Sequence, residues 1–100
     1  KEYVIGDNNN GGIERYKTEK HGRGISECGL LAFVEDKDFK HWHTTINSWI
    51  TDLAKKPKSS WKKNEVLSET ESNIYHCILQ SIAHRQSDNV SLTHLWISIN

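Results

Sequence analysis

The fold turns on residues 39–53, Phe39-Lys40-His41-Trp42-His43-Thr44-Thr45-Ile46-Asn47-Ser48-Trp49-Ile50-Thr51-Asp52-Leu53. Phe39, Trp42, Ile46, Trp49, Ile50 and Leu53 follow one another at steps of three, four, three, one and three, which is one stripe of an α-helix. Asp36 and Asp38 stand before it, where negative charge suits the helix dipole. Lys55 and Lys56 stand at its end, where positive charge does. Pro57 has no N–H to continue the ladder. The spacing predicts a helix over 38–55 that buries this stripe as the main core element, with Trp49 as a buried aromatic.

Working outward, Gly29-Leu30-Leu31-Ala32-Phe33-Val34 is an unbroken apolar run between polar flanks. Such a run suits a strand covered on both faces, which requires helices on the sheet. Upstream, Ile13, Tyr16 and Lys20 fall at helical spacing and Gly22 offers a stop, so a short helix is expected over 12–21. Residues 1–12 end in a loop of Asp, Asn and Gly. Downstream, 55–63 is a basic connection and 64–72 is ambiguous. Residues 74–84 fit a strand with Ile74, His76, Ile78, Gln80 and Ile82 on one side and Tyr75, Cys77, Leu79, Ser81 and Ala83 on the other. The fourfold spacing of Ile74, Ile78 and Ile82 fits a helix as well. Residues 90–99 alternate, with Leu95, Ile97 and Ile99 opposite Leu92, His94 and Trp96, and 85–89 suits a hairpin loop. The order helix-strand-helix-strand-strand makes residues 1–100 a single α+β domain, its sheet covered by the 38–55 helix.

Thirteen basic residues balance thirteen acidic ones across 100 residues, so no global field draws the chain to nucleic acid or an anionic membrane. No apolar run reaches membrane-spanning length. Two cysteines, Cys28 and Cys77, suit buried thiols better than a disulfide framework. No leader segment is visible, which points to a cytoplasmic protein. The chain starts at Lys1 without Met, so a piece of a longer chain is expected.

Several residues invite chemistry. Glu35 and Lys37 directly follow the apolar strand and Asp7 lies upstream. Acids holding Mg²⁺ beside a Lys that activates water make a nuclease site, but helix capping accounts for Glu35 and Asp36 equally well. Arg15 and His21 pair an acid/base group with a phosphate clamp, as in helical ribonucleases, yet their spacing puts them on different helix faces. Six histidines include His41 and His43, and also His76, His84 and His94 beside Cys77, but no pair has zinc-anchoring spacing, so no metal site is assigned. Lys55, Lys56, Lys58, Lys62 and Lys63, with Trp61 among them, could grip a phosphate backbone while the indole stacks on a base; the alternative is a solvated connection with Trp61 on the core. His84 and Arg85 form a second pair of phosphate contacts with the same alternative.

Taken together, Gly12-Ile13-Glu14-Arg15-Tyr16 leading to Lys20-His21-Gly22, the run 29–34, His41-Trp42 with Ile46-Asn47-Ser48-Trp49-Ile50, then His84-Arg85 and His94-Leu95-Trp96 resemble the C-terminal half of restriction-endonuclease-like, PD-(D/E)XK-type proteins of bacterial defence systems. The resemblance implies a catalytic segment before Lys1, with Glu35 and Lys37 as decoys, no cofactor in this piece and Mg²⁺ in the longer protein. It implies a region inactive alone that offers Arg15, His21, His84, Arg85 and the lysine run to DNA or RNA. Two other readings stand beside it: an interaction domain holding a protein partner with exposed Trp and the hairpin edge, and a small ribonuclease.

Overall fold

The computed structural model describes residues 3–6, 11–18, 25–85 and 88–99. The elements are α1 (Glu14–Lys17), β1 (Glu27–Val34), α2 (Phe39–Ala54), a 3₁₀ turn (Lys63–Glu65), β2 (Ser68–Ser72), β3 (His76–His84) and β4 (Asn89–Ser98). The four strands form one mixed sheet in the order β1-β4-β3-β2. β1 runs parallel to β4, and the other neighbours are antiparallel. The domain is α+β, as the sequence predicts, with β2 as an additional strand.

α2 begins where Asp38 accepts the backbone N–H of His41 at 2.7 Å, satisfying one orphan donor of the first turn. Ile46, Ile50 and Leu53 are buried, while Phe39, Trp42 and Trp49 are half-buried. The predicted stripe is therefore split. At 100° per residue Trp42 and Trp49, seven apart, lie about 20° from each other along one edge of it. The aliphatic side chains take the core, and the two indoles line its margin. This corrects the expectation that Trp49 is a buried aromatic, since it is half-buried. The helix is also pinned laterally. Asn47 donates to the Leu67 carbonyl at 3.0 Å and accepts the Leu67 N–H at 2.8 Å, and His43 Nε2 donates to the same carbonyl at 2.7 Å. These bonds set where β2 enters the sheet.

The N-terminal segment is locked by backbone contact. Ile13 N–H bonds to the Tyr3 carbonyl at 2.9 Å and Glu14 N–H to the Val4 carbonyl at 3.1 Å. The Glu14 carboxylate accepts N–H groups from Gly6 and Gly11. A Cβ on Gly11 would stand 2.2 Å from the Ile5 Cα, so only glycine permits this approach. α1 has four residues rather than the predicted span 12–21, whose end lies outside the described residues.

The core lies on one side of the sheet. Cys77, Leu79 and Ala83 of β3, and Val90, Leu92 and Trp96 of β4, pack with Val34, Ile46, Ile50, Leu53, Trp61, Leu67, Val4 and Ile13. Period-2 alternation sends the intervening residues to the other face, and there the sequence expectation fails. β1 is not covered on both faces, because Leu31 and Phe33 are about 60% exposed. An unbroken apolar run cannot distinguish a strand buried twice from one whose open face is itself apolar.

Candidate functional site

The residues singled out in the sequence occupy separate places. Glu35 and Lys37 are both exposed but line different grooves, and Asp7 lies outside the described residues. Among the described residues no group of three or more His, Cys, Asp or Glu is placed to hold a metal ion. His41 is exposed with its ring edge-on to Trp42, and His76 pairs with Glu71 at 2.9 Å. Among the described residues the histidines therefore do not converge on a metal site. Arg15 is exposed on α1, and His21 lies outside the described residues.

Two of the expected nucleic-acid contacts, Arg85 to phosphate and Trp61 to a base, are instead spent within the fold. Arg85 grips Asp88 through two bonds of 2.8 Å and reaches the Ile25 carbonyl at 2.9 Å. Its side chain is fully buried, so it ties the β3–β4 connection to the approach of β1. Trp61 is buried too, with the Lys17 ammonium 4.9 Å from its ring centroid. A ring held there cannot stack on a base, which corrects that part of the reading. His84 hydrogen-bonds to Asn89 at 2.8 Å and Asn64 at 3.1 Å. By contrast Lys55, Lys56, Lys58, Lys62 and Lys63 are all exposed.

Lys17 explains why Trp61 turns inward. Its ammonium donates to Glu65 at 2.6 Å, to the His84 carbonyl at 2.9 Å and to the Ser60 carbonyl at 3.0 Å, which uses all three of its protons. Glu65 also accepts N–H groups from Lys62 at 2.6 Å and His84 at 2.9 Å. This buried ion pair joins α1, the 3₁₀ turn and the end of β3. Sequence reading missed it because its two members are 48 residues apart.

A second polar line crosses the core. Trp96 Nε1 donates to the Tyr3 hydroxyl at 3.1 Å, the hydroxyl meets His94 Nδ1 at 2.5 Å, and His94 Nε2 meets Ser81 at 2.7 Å. Burial pushes the Tyr3 phenol up to about 12 and His94 down to about 4, so both are neutral at pH 7. With Trp96 donating to Tyr3, the hydroxyl and both His94 ring nitrogens each have a partner. The sequence of groups resembles a base beside a nucleophile. His94 has no solvent exposure, however, and no substrate reaches it, so the line is structural.

The open sheet face remains. Leu31 of β1 aligns with Leu95 of β4, which aligns with Ile78 of β3. One pair further along, Phe33, Ile97 and His76 align likewise. Leu31, Phe33 and Leu95 are exposed, as are Ile82 and Ile99 nearby. At one end of this apolar band, Gln80 donates to Thr93 at 3.0 Å. At its β2 edge stands the Glu71–His76 pair. Among the described residues no helix is long and apolar enough to cross a membrane. Compared with known proteins, the chain matches no family model, no curated protein and no solved structure.

Proposed function

We propose that this chain is an assembly domain that packs the open face of its sheet against the same face of a second copy. The observation that carries the reading is the registered apolar band of Leu31, Phe33, Leu95, Ile97 and Ile78 opposite the helix-covered face. A contiguous exposed apolar patch rimmed by polar residues is characteristic of interaction sites. A flat sheet face is most simply covered by another sheet, the two packing about 10 Å apart. Zero net charge means that two copies do not repel each other. A two-fold arrangement would let each band meet its own image. Sedimentation of the chain over a range of concentrations tests this. A monomer–dimer equilibrium is expected, and Leu95→Lys, which places an ammonium in mid-band, should leave a folded monomer. A wild-type chain that stays monomeric throughout, or a Leu95→Lys chain that still dimerises, overturns the proposal.

A second reading is supported by the basic segment. The five exposed lysines of 55–63 have no Asp or Glu between Leu53 and Asn64, and the next acid, Glu65, is buried against Lys17. This supports a phosphate-contacting surface, as the resemblance to restriction-endonuclease-like proteins implies. With Trp61 inside the core, that surface would touch the backbone of DNA or RNA and leave the bases unread.

A further inference from the structure

We infer that the aromatic cleft between the end of β1 and α2 is a binding site for a quaternary ammonium group. The cleft has a volume of about 270 Å³ and is lined by Tyr3, Trp42, Trp49 and Trp96, with Glu35 and Asp36 also in its wall. That is slightly below the size of pockets for drug-sized molecules, so it suits a side chain or a small headgroup. The two half-buried indoles of α2 share one edge of the helix, two turns apart, and form one wall. Trp96, the most buried of the rings, lies at the base, with Tyr3 edge-on to it at 6.1 Å and 83°.

The chemistry of the lining selects the ligand. The Trp42 indole N–H is spent on the Asp36 carbonyl at 2.9 Å, and the Trp96 N–H on the Tyr3 hydroxyl. Neither indole therefore presents a free donor to the cleft, and a lining of aromatic carbon attracts a cation able to shed its water. An alkylated ammonium has no N–H to satisfy and a weak hydration shell, so it loses little on entering. The charged side chains lining the cleft, Glu35 and Asp36, are both acids. Lys37, whose backbone takes a left-handed φ of 60°, lines the neighbouring groove with Asp38 and Lys40 instead. Of the dimer-band residues the cleft shares only Phe33, and the inference does not depend on dimerisation.

The test titrates the chain with Nα-acetyl-trimethyllysine amide, with choline, and with the neutral isostere of trimethyllysine in which carbon replaces the ammonium nitrogen. Tryptophan fluorescence reports binding. Saturable binding of trimethyllysine is expected, with the neutral isostere about thirtyfold weaker, the size of a desolvated cation–π contribution of about 2 kcal/mol. Choline binding as tightly as trimethyllysine supports recognition of the headgroup alone. Choline binding more weakly supports a methylated side chain as the source. Equal binding of the charged and neutral forms would make the cleft a plain apolar slot and overturn the inference, as would no saturable binding of either cation. Trp49→Leu keeps apolar volume but removes a ring, and should abolish binding. The double substitution Glu35→Gln, Asp36→Asn lies on the surface and should weaken binding severalfold while the chain stays folded, with the midpoint lowered only by the small lost contribution to the helix dipole; undiminished affinity in either variant counts against the site.

Discussion

His94 shows how one buried side chain ties stability to pH. Its ring has no solvent exposure, and burial lowers its pKa from 6.5 to about 4. Above pH 6.5 the group is neutral in both folded and unfolded chains and does not change stability with pH. As pH falls below 6.5 the unfolded chain takes up a proton that the folded one refuses, so stability is lost progressively down to about pH 4. The loss totals about 3 kcal/mol at 1.36 kcal/mol per pKa unit. Denaturant unfolding at pH 7, 5.5 and 4 should show this fall, and His94→Gln should flatten the part due to this group. The Lys17–Glu65 pair predicts a different pattern. Glu65→Ala strands a buried ammonium and should cost about 3–5 kcal/mol, whereas replacing both members with apolar residues should cost much less. Equal losses in the single and double variants would show that the pair is not the source. Neither role was legible in the sequence, where Lys17 was one basic residue among thirteen and its carboxylate partner lay on a distant turn. Arg85 was misread for a related reason, since a guanidinium looks the same whether it faces solvent or Asp88.

At the scale of elements, α2 was legible because everything that makes it a helix is local: the apolar steps, the Asp38 cap and the stop at Pro57. Asp38→Ala should cost about 1 kcal/mol through the lost cap. Ile50→Ala should cost about 2–5 kcal/mol because Ile50 is completely buried. Half-buried Trp49 should lose less per atom removed, so a thermal-unfolding comparison that ranks Trp49 far above Ile50 would contradict the orientation of the helix. β3 and β4 were legible from alternation, including which side chains share a face. β2 was not, because Ser68–Ser72 is polar and wholly exposed. Its strand identity comes from pairing with β3 across a register shift between Glu69 and Glu71, and from the Asn47 and His43 bonds that hold Leu67. The aromatic cleft did leave a signal in the sequence, the seven-residue interval from Trp42 to Trp49, but that interval looks the same in a fully buried stripe.

At the scale of the whole molecule, zero net charge conceals an uneven distribution. Five exposed lysines follow the C-terminus of α2, while Glu35, Asp36 and Asp38 precede its N-terminus. A duplex approaching such a molecule feels the local basic surface within a screening length of about 8–10 Å and little of the distant acids. If all five lysines meet phosphates, log K should fall with log salt at a slope of about −4.5, since each contact contributes about 0.9. Lys62→Ala with Lys63→Ala should reduce the magnitude of the slope by about two and weaken all sequences alike, because backbone contacts carry no base information. Trp61→Phe provides a separate arm. Its ring packs over Lys17 inside the protein, so the change should lower the unfolding midpoint and leave the salt slope as it was. A loss of single-strand affinity in a Trp61→Phe chain that remains fully folded would place the ring on nucleic acid after all. Absence of binding at low salt, or binding that the lysine pair leaves unchanged, would remove the nucleic-acid reading while leaving the sheet face as the surface to be occupied.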